Sequence, residues 1–298
     1  MRGSGAAPLA LGTLAVAAGA VFLWNVGALP GMASRNCASY LLGLLLGWAC
    51  HHAAHRRYGA EALFALASFF LAAVLLVGIE LEGVKRWLPL GPVHVQPGLI
   101  LAPLLLAVAA SREGRHWRAM VLVPLALIAA QPDGATSVAL AAGIAVLMAA
   151  ASSKSRRGWS QRRIAVAAGA FILAVLGLIV AGIPTPPPVA FVEGTVGIAL
   201  LSGAPAIGLH VLTIALMLAA LLGRHDPAGT SLAAYFGVSA IAAVFLAFPM
   251  PVAGAGPSHL IGFGIAPEFV HADGINYGPE QREAAIANGL AEVERLAA

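Results

Sequence analysis

Long apolar runs separated by short basic clusters are the feature that most constrains what this chain can fold into. Hydrophobic residues make up 60% of the sequence and charged residues only 10%. A soluble globular protein carries about 25% charged residues, and its polar side chains cover the core. In water this chain would expose large apolar patches. The sequence therefore predicts an all-α, polytopic integral membrane protein and excludes a soluble domain.

The apolar runs predict about ten transmembrane helices. A bilayer core about 30 Å thick needs roughly 20 apolar residues per helix, and flanking amphipathic side chains can complete the shorter runs. The first run is long for a secretion signal and is followed by more membrane segments, so we interpret it as a span. The predicted spans are Ala6–Val26, Ser39–Cys50, Glu61–Ile79, Gly98–Ala110, Ala119–Ala130, Thr136–Ala151, Ile164–Ile183, Val196–Leu222, Ser231–Phe248 and Ser258–Phe269.

The distribution of Lys and Arg predicts the orientation, because cytoplasmic loops retain positive charge. With the N-terminus inside, the inside segments hold 14 of the 17 basic residues, and the outside connections hold only Arg35, Lys85 and Arg86. Both termini are then cytoplasmic. Residues 1–272 form the predicted transmembrane domain, and residues 273–298 form a short polar cytoplasmic tail with an amphipathic helix. The basic clusters lack interleaved aromatic residues, so nucleic acid is not a predicted partner.

This orientation places unusual polar residues outside, towards one face of the membrane. They are Lys85 and Arg86 after the third span, Gln96 before the fourth, Asp133 between the fifth and sixth, Glu193 before the eighth and Ser258 at the start of the last. Basic residues outside are costly, so Lys85 and Arg86 indicate an anionic partner such as a pyrophosphate or a lipid headgroup. The alternative is that they pair with Glu80 or Glu82 at the interface.

Four short motifs follow one another along the chain. They are Gly83-Val84-Lys85-Arg86-Trp87, Gln96-Pro97, Gln131-Pro132-Asp133 with Thr136, and the stretch from Pro251 to Leu260. In order and spacing they resemble the patterns GxRRW, QPSE, QPDLGT and PFxSYGGSS of the SEDS family, whose members include FtsW, RodA and SpoVE. The resemblance covers about residues 83–260. It implies ten spans with both termini cytoplasmic.

The resemblance also implies a function. It implies an enzyme that polymerises peptidoglycan glycan strands from lipid II, or from another undecaprenyl-linked sugar, at the outer face of the bacterial cytoplasmic membrane. It implies a class B penicillin-binding transpeptidase as a partner in division, elongation or sporulation. One alternative is an inactive homologue that binds a lipid-linked precursor or a cell-wall partner. Another is a transporter or lipid flippase.

The chain departs from the family pattern at the residue that would be the catalytic base. The family carries a His-Thr-Asp before the eighth span, whereas Ala190-Phe191-Val192 stand at that place here. Gly98 and Leu99 replace the Ser and Glu of QPSE, and His259 replaces the second serine of the last motif. The activity of the relatives therefore does not transfer to this chain by motif alone.

Glu193 is the candidate that remains for this role. Glycosyl transfer needs a carboxylate to take the proton of the attacking hydroxyl, and cations to hold the departing pyrophosphate. We predict Glu193 as the base, Lys85 and Arg86 on the pyrophosphate, and Asp133 as the residue that holds its loop or a divalent cation. Gln96 and Ser258 are assigned to substrate binding. The alternatives are that Glu193 caps the eighth helix and that Asp133 is an ordinary turn residue.

The histidines do not add a metal site to these predictions. His51, His52 and His55 have the spacing of chelating pairs on one helix end, but no carboxylate completes them and Cys50 is the only thiol nearby. A basic cytoplasmic flank is the preferred interpretation. His210, inside the eighth span, is more often an interhelical histidine than a proton relay, so it has no assigned role.

The predicted orientation can be tested at the C-terminus. A fluorescent protein fused after Ala298 is expected to fluoresce, and alkaline phosphatase fused there is expected to be inactive, because the tail is cytoplasmic. Active phosphatase would place the tail outside and make the number of spans odd.

Overall fold

The protein is built mainly of helices, as its composition predicts. The computed structural model describes residues 6–56, 58–81, 84–91, 93–111, 119–153, 161–182, 191–223, 226–245 and 248–272. The helices are α1 (Ala6–Asn25), α2 (Pro30–Ala54), α3 (Gly59–Val77), α4 (Pro97–Ser111), α5 (Leu122–Ala130), α6 (Gly134–Ser153), α7 (Gln161–Ala181), α8 (Thr195–Ser202), α9 (Ala204–Leu222), α10 (Pro227–Phe245) and α11 (Pro257–Ala272).

Five of the described helices are long and apolar enough to cross a bilayer. They are α1, α3, the part of α7 from Arg163 to Ala181, α9 and α10. α4 and most of α6 are apolar but shorter. α11 continues through Pro267 for 16 residues, a length of about 24 Å. The polytopic helical fold is confirmed, whereas the count of ten spans and the location of both termini stay predictions.

The predicted eighth span, Val196–Leu222, consists of two helices. α8 ends at Ser202 and α9 begins at Ala204, with Gly203 between them at φ +89°. Glycine adopts a positive φ at little cost, and Pro205 has no N–H with which to continue the ladder of α8. Hydropathy does not register either effect, so the apolar run concealed the break. α9 alone has 19 residues, about 28 Å of helix.

The described residues also form a small sheet that the all-α prediction did not include. Strands β1 (Ile79–Leu81), β2 (Val84–Leu90) and β3 (Val93–Val95) lie in that order in an antiparallel arrangement. The sheet connects α3 to α4. Successive side chains of a strand point to opposite faces of the sheet. The two adjacent cations of β2, Lys85 and Arg86, therefore point to opposite faces.

Glycines allow α2 and α11 to pack at backbone distance. A Cβ added to Gly43 would lie 2.9 Å from the Cα of Gly264, and one added to Gly47 would lie 2.9 Å from the Cα of Ile265. Small residues of this kind let membrane helices approach closely, where van der Waals contact replaces the hydrophobic driving force. The start of α11, which carries Ser258, is held in this way.

The predicted polar tail lies outside the described residues, and so does the amphipathic helix predicted within it.

The tight contact predicts the effect of two glycine substitutions in α2. Gly43→Ala forces the backbones of α2 and α11 apart and is expected to lower the free energy of unfolding by about 1–3 kcal/mol. Gly31→Ala is the control, because no heavy atom lies within 4 Å of a Cβ added there. It should be neutral or slightly stabilising. Thermal unfolding of the purified protein in detergent measures both, and equal effects would contradict the packing argument.

Candidate functional site

The candidate site lies where the sheet meets the connections that lead into α4, α6, α8 and α11. Five of the six predicted site residues are brought together here, and each is buried: Arg86, Gln96, Asp133, Glu193 and Ser258. They come from separate parts of the chain. The backbone N–H of Gln96, for example, donates to the hydroxyl of Ser258, 162 positions away, at 3.0 Å.

Arg86 is the cation at the centre of the site. Its Nη2 donates to Oε1 of Glu193 at 2.9 Å, and its Nη1 lies 3.9 Å from Oδ1 of Asp133. The guanidinium carbon also lies 4.5 Å from the ring centroid of Trp87, a cation–π contact. Arg86 is 5% exposed, so these contacts stand in place of water around the charge.

Asp133 is held by donors on several sides. Its Oδ2 accepts from Nε2 of Gln96 and from the hydroxyl of Thr136, both at 2.7 Å, and its Oδ1 accepts from the backbone N–H of Thr136 at 3.2 Å. Asp133 directly precedes α6, and Thr136 is three residues further on, so the carboxylate caps the helix. Asp133 is therefore both a turn residue that caps α6 and a member of the candidate site.

Glu193 faces Arg86 and does not cap the helix that follows it. The residue in the N-cap position of α8 is Gly194, which has no side chain to form a capping bond. The ion pair with Arg86 takes the carboxylate instead. Glu193 is therefore not the N-cap residue of α8, although it lies one residue before it, near a helix end where a negative charge is favourable.

Lys85 does not join the other five residues. Its ammonium donates to the carbonyl of Leu75 at 2.9 Å, in the last turn of α3. A cation at a helix C-terminus satisfies free carbonyls and complements the helix dipole. Lys85 and Arg86 are adjacent in β2 and so point to opposite faces, which the sequence motif alone could not reveal. Its assignment to pyrophosphate stays a prediction.

Further polar side chains lie buried around the site, and the sequence interpretation gave them no role there. Tyr235 and Ser239 occupy one face of α10, Thr195 begins α8, and His259 is in the first turn of α11. The hydroxyl of Thr195 has no hydrogen-bond partner among the described residues, whereas the hydroxyl of Tyr235 faces Ser239 and the ring of His259 faces the backbone of Pro249. The sequence did contain a signal for two of them: Tyr235 and Ser239 are polar residues four positions apart in an apolar helix, so they lie on the same face. An unpaired buried group such as the Thr195 hydroxyl is a place for water or for a polar atom of a ligand.

The charges of the cluster determine what it can do chemically. With every group ionised, one guanidinium lies among two carboxylates, which leaves a net negative charge in a buried place. Such a site attracts a further cation, and its guanidinium is a group that can also bind an anion. No group of three or more His, Cys, Asp or Glu residues within the described ranges is placed to hold a metal ion. The divalent cation at Asp133 stays a prediction.

Comparison with known proteins shows the family of this chain. Residues 9–182, more than half of the chain, match the FtsW/RodA/SpoVE family of cell cycle proteins. The chain belongs to this SEDS family. Thirty-five of its residues are also 51% identical to a probable peptidoglycan glycosyltransferase FtsW of Neisseria gonorrhoeae. That alignment covers 12% of this chain and 8% of the Neisseria protein, so the chain spans a small part of that curated relative.

Solved structures share the fold of this SEDS chain. The rod shape determining protein RodA of Thermus thermophilus has a TM-score of 0.60 and 23% identity, over 91% of this chain and 97% of RodA. An Asp-to-Ala variant of that RodA gives 0.62 and 22%, over 91% and 98%. A chain from a peptidoglycan synthase complex, described as coordinating polymerization and crosslinking, gives 0.61 and 22% over the same shares.

Family membership and the apolar helices together establish the location of this SEDS chain. It is a multi-pass protein of the bacterial cytoplasmic membrane. The structural likeness shows the fold at these identities, and the chemistry must be argued from the chain's own residues.

The ion-pair cluster predicts a large difference between two neighbouring substitutions. Arg86→Ala removes the guanidinium from beside the buried Asp133 and Glu193 carboxylates and is expected to cost about 3–5 kcal/mol of unfolding free energy. Lys85→Ala, the adjacent control, should cost much less because the lysine is partly exposed. Adding Glu193→Gln to Arg86→Ala should recover part of the loss. Denaturation in detergent measures the free energy of unfolding of the two single variants and of the double variant. If the effects of the two substitutions simply add, the coupling between Arg86 and Glu193 is excluded.

Proposed function

We propose that this chain polymerises peptidoglycan glycan strands from lipid II at the outer face of the cytoplasmic membrane. The observation that carries the proposal is the buried contact of Arg86 with both Glu193 and Asp133. It joins a candidate base to a candidate anion-binding group in one site. The family and its structural relatives support the coarser statement, a role in cell-wall assembly.

The proposed reaction is a glycosyl transfer. The hydroxyl oxygen of the acceptor sugar attacks the anomeric carbon of the donor, the new C–O bond forms, and the bond from that carbon to the pyrophosphate breaks. The proton of the hydroxyl passes to the carboxylate of Glu193, and the electron pair leaves with the lipid pyrophosphate. Positioned proton transfer contributes typically about 100- to 10,000-fold to such steps.

Arg86 has two successive partners in this mechanism. A carboxylate paired with a guanidinium is a weaker proton acceptor than a free one, because the cation favours its charged form. A pyrophosphate offers the same guanidinium several charged oxygens in a bidentate geometry. Binding of the donor therefore draws Arg86 away from Glu193. The carboxylate of Glu193 is then released from this ion pair and can accept the proton of the acceptor hydroxyl.

Gln96, Asp133 and Ser258 keep this site assembled. Gln96 donates from its side chain to Asp133 and from its backbone to Ser258, so it ties the starts of α4, α6 and α11 together. Asp133 is saturated by donors and is proposed to hold its loop and orient Arg86. These residues position the reacting groups, which is where enzymes gain much of their rate.

A second candidate function is favoured by the same ion pair. Glu193 is engaged by Arg86 at 2.9 Å, and Ala190, Phe191 and Val192 stand where the family has His-Thr-Asp. A homologue that binds an undecaprenyl-linked precursor without turning it over is consistent with both. We also propose a class B penicillin-binding transpeptidase as the partner, since one structural relative is part of a peptidoglycan synthase complex.

Lipid II turnover separates these candidates. The purified protein is expected to convert lipid II into glycan strands, and Glu193→Gln is expected to reduce the rate at least about 100-fold because the proton acceptor is lost. Glu61→Gln removes a carboxylate from the start of α3, away from the site, and is the matched control. Gel analysis of the glycan products and binding of labelled lipid II are the measurements.

Two results would change the assignment. Unchanged turnover by Glu193→Gln would exclude Glu193 as the base. Binding of lipid II by the unmodified chain, without any product, would establish the second candidate function.

A further inference from the structure

The start of α2 contacts a distant part of the chain next to the site. Nδ2 of Asn36 donates to the carbonyl of Gly254 at 3.0 Å, and Nη2 of Arg35 donates to the carbonyl of Ala255 at 3.1 Å. Asn36 is 1% exposed, and its Oδ1 has no hydrogen-bond partner among the described residues. Burying an amide whose oxygen has no hydrogen-bond partner costs folding free energy. The hydrogen bond from Asn36 to Gly254 therefore calls for an explanation.

The acceptor of this bond belongs to the connection between α10 and α11, which we define as the 248–256 connection. It hydrogen-bonds to the turn that carries Glu193. The N–H of Met250 donates to the carbonyl of Val192 at 3.1 Å, and the N–H of Ala255 donates to the carbonyl of Phe191 at 2.6 Å. Asn36 is therefore joined to the residue before Glu193 through one short piece of backbone.

Both pieces of backbone contain a strained residue. Phe191 and Val252 have φ of +61°, which bulky residues rarely adopt. Such conformations persist only where surrounding contacts hold them, and they store free energy that is released if the contacts are lost. The Glu193 turn thus depends on the 248–256 connection for its position.

We propose that Asn36 is a positioning residue for Glu193, and this rests on the proposed role of Glu193 as the base. Asn36 fixes Gly254, the 248–256 connection fixes the turn at Phe191 and Val192, and the turn aims the carboxylate of Glu193 at Arg86. Asn36 touches neither substrate nor reacting atoms in this mechanism. Its effect is on the rate of the chemical step and not on the affinity for lipid II.

Two pairs of variants test the proposal from opposite ends. Asn36→Leu keeps the branched shape of the side chain and removes the donor, whereas Ser34→Ala removes a hydrogen bond that stays within α2, to Gly31. Gly254→Ala brings a Cβ to 2.6 Å from the carbonyl oxygen of Val192 and pushes the turn away. Gly256→Ala is its control, since the nearest atom there lies at 3.6 Å.

Hydrogen exchange of the protein in lipid nanodiscs is the first measurement, because it needs no activity. Asn36→Leu and Gly254→Ala are expected to speed amide exchange of residues 191–196 and 248–256 by about tenfold, the effect of losing a buried hydrogen bond. Ser34→Ala and Gly256→Ala should exchange at the unmodified rate. Unmodified rates in Asn36→Leu would overturn the proposal, whatever the chain's activity.

Lipid II kinetics are the second measurement. Asn36→Leu is expected to lower kcat about tenfold and to leave KM within about twofold, since only the chemical step loses its geometry. A raised KM with unchanged kcat would overturn the positioning role. If the unmodified chain forms no glycan, the proposed function fails, and the exchange result alone decides whether Asn36 holds the Glu193 turn.

Discussion

The guanidinium of Arg86, buried with two carboxylates, is the interaction on which the rest of the site depends. A cation that is 5% exposed has lost most of its hydration, so its charge must be met by partners in the protein. Glu193 and Asp133 supply these partners, and they come from the connections before α8 and α6. Because the three groups are held together by electrostatics in a place of low dielectric constant, the sheet and both connections must keep a single arrangement.

The other two cations that are predicted to lie outside, Arg35 and Lys85, also have partners within the protein. Arg35 donates to the carbonyl of Ala255, and Lys85 donates to the carbonyl of Leu75. Each basic residue predicted to lie outside thus has an intramolecular partner, which offsets the cost of breaking the charge bias. The alternative predicted that Lys85 and Arg86 pair with Glu80 or Glu82, whereas in these contacts Lys85 bonds to a backbone carbonyl and Arg86 to Glu193 and Asp133. Backbone carbonyls provide the compensation for Arg35 and Lys85, and Glu82 lies outside the described residues.

Part of the site could be predicted from the sequence. Arg86, Gln96, Asp133, Glu193 and Ser258 stood out because polar residues at the ends of apolar runs are few, and the charge bias assigned them to one side. The cap formed by Asp133 on Thr136 follows from their spacing. Lys85 was grouped with Arg86 because they are neighbours in sequence, and strand geometry separated them. The strands themselves were missed because they are short and lie at the ends of apolar runs, where hydropathy predicts helix.

Composition and charge alone determined that this chain is a helical membrane protein, because few polar residues leave lipid as the only suitable solvent. Motif order determined the family. The tertiary structure decided which polar groups meet: the Arg86 and Glu193 pair, 107 positions apart, and the bond from Asn36 to Gly254, 218 positions apart. It also decided that Gly203 breaks an apolar run into two helices. These outcomes depend on distances between segments and on backbone angles, which periodicity and hydropathy do not contain.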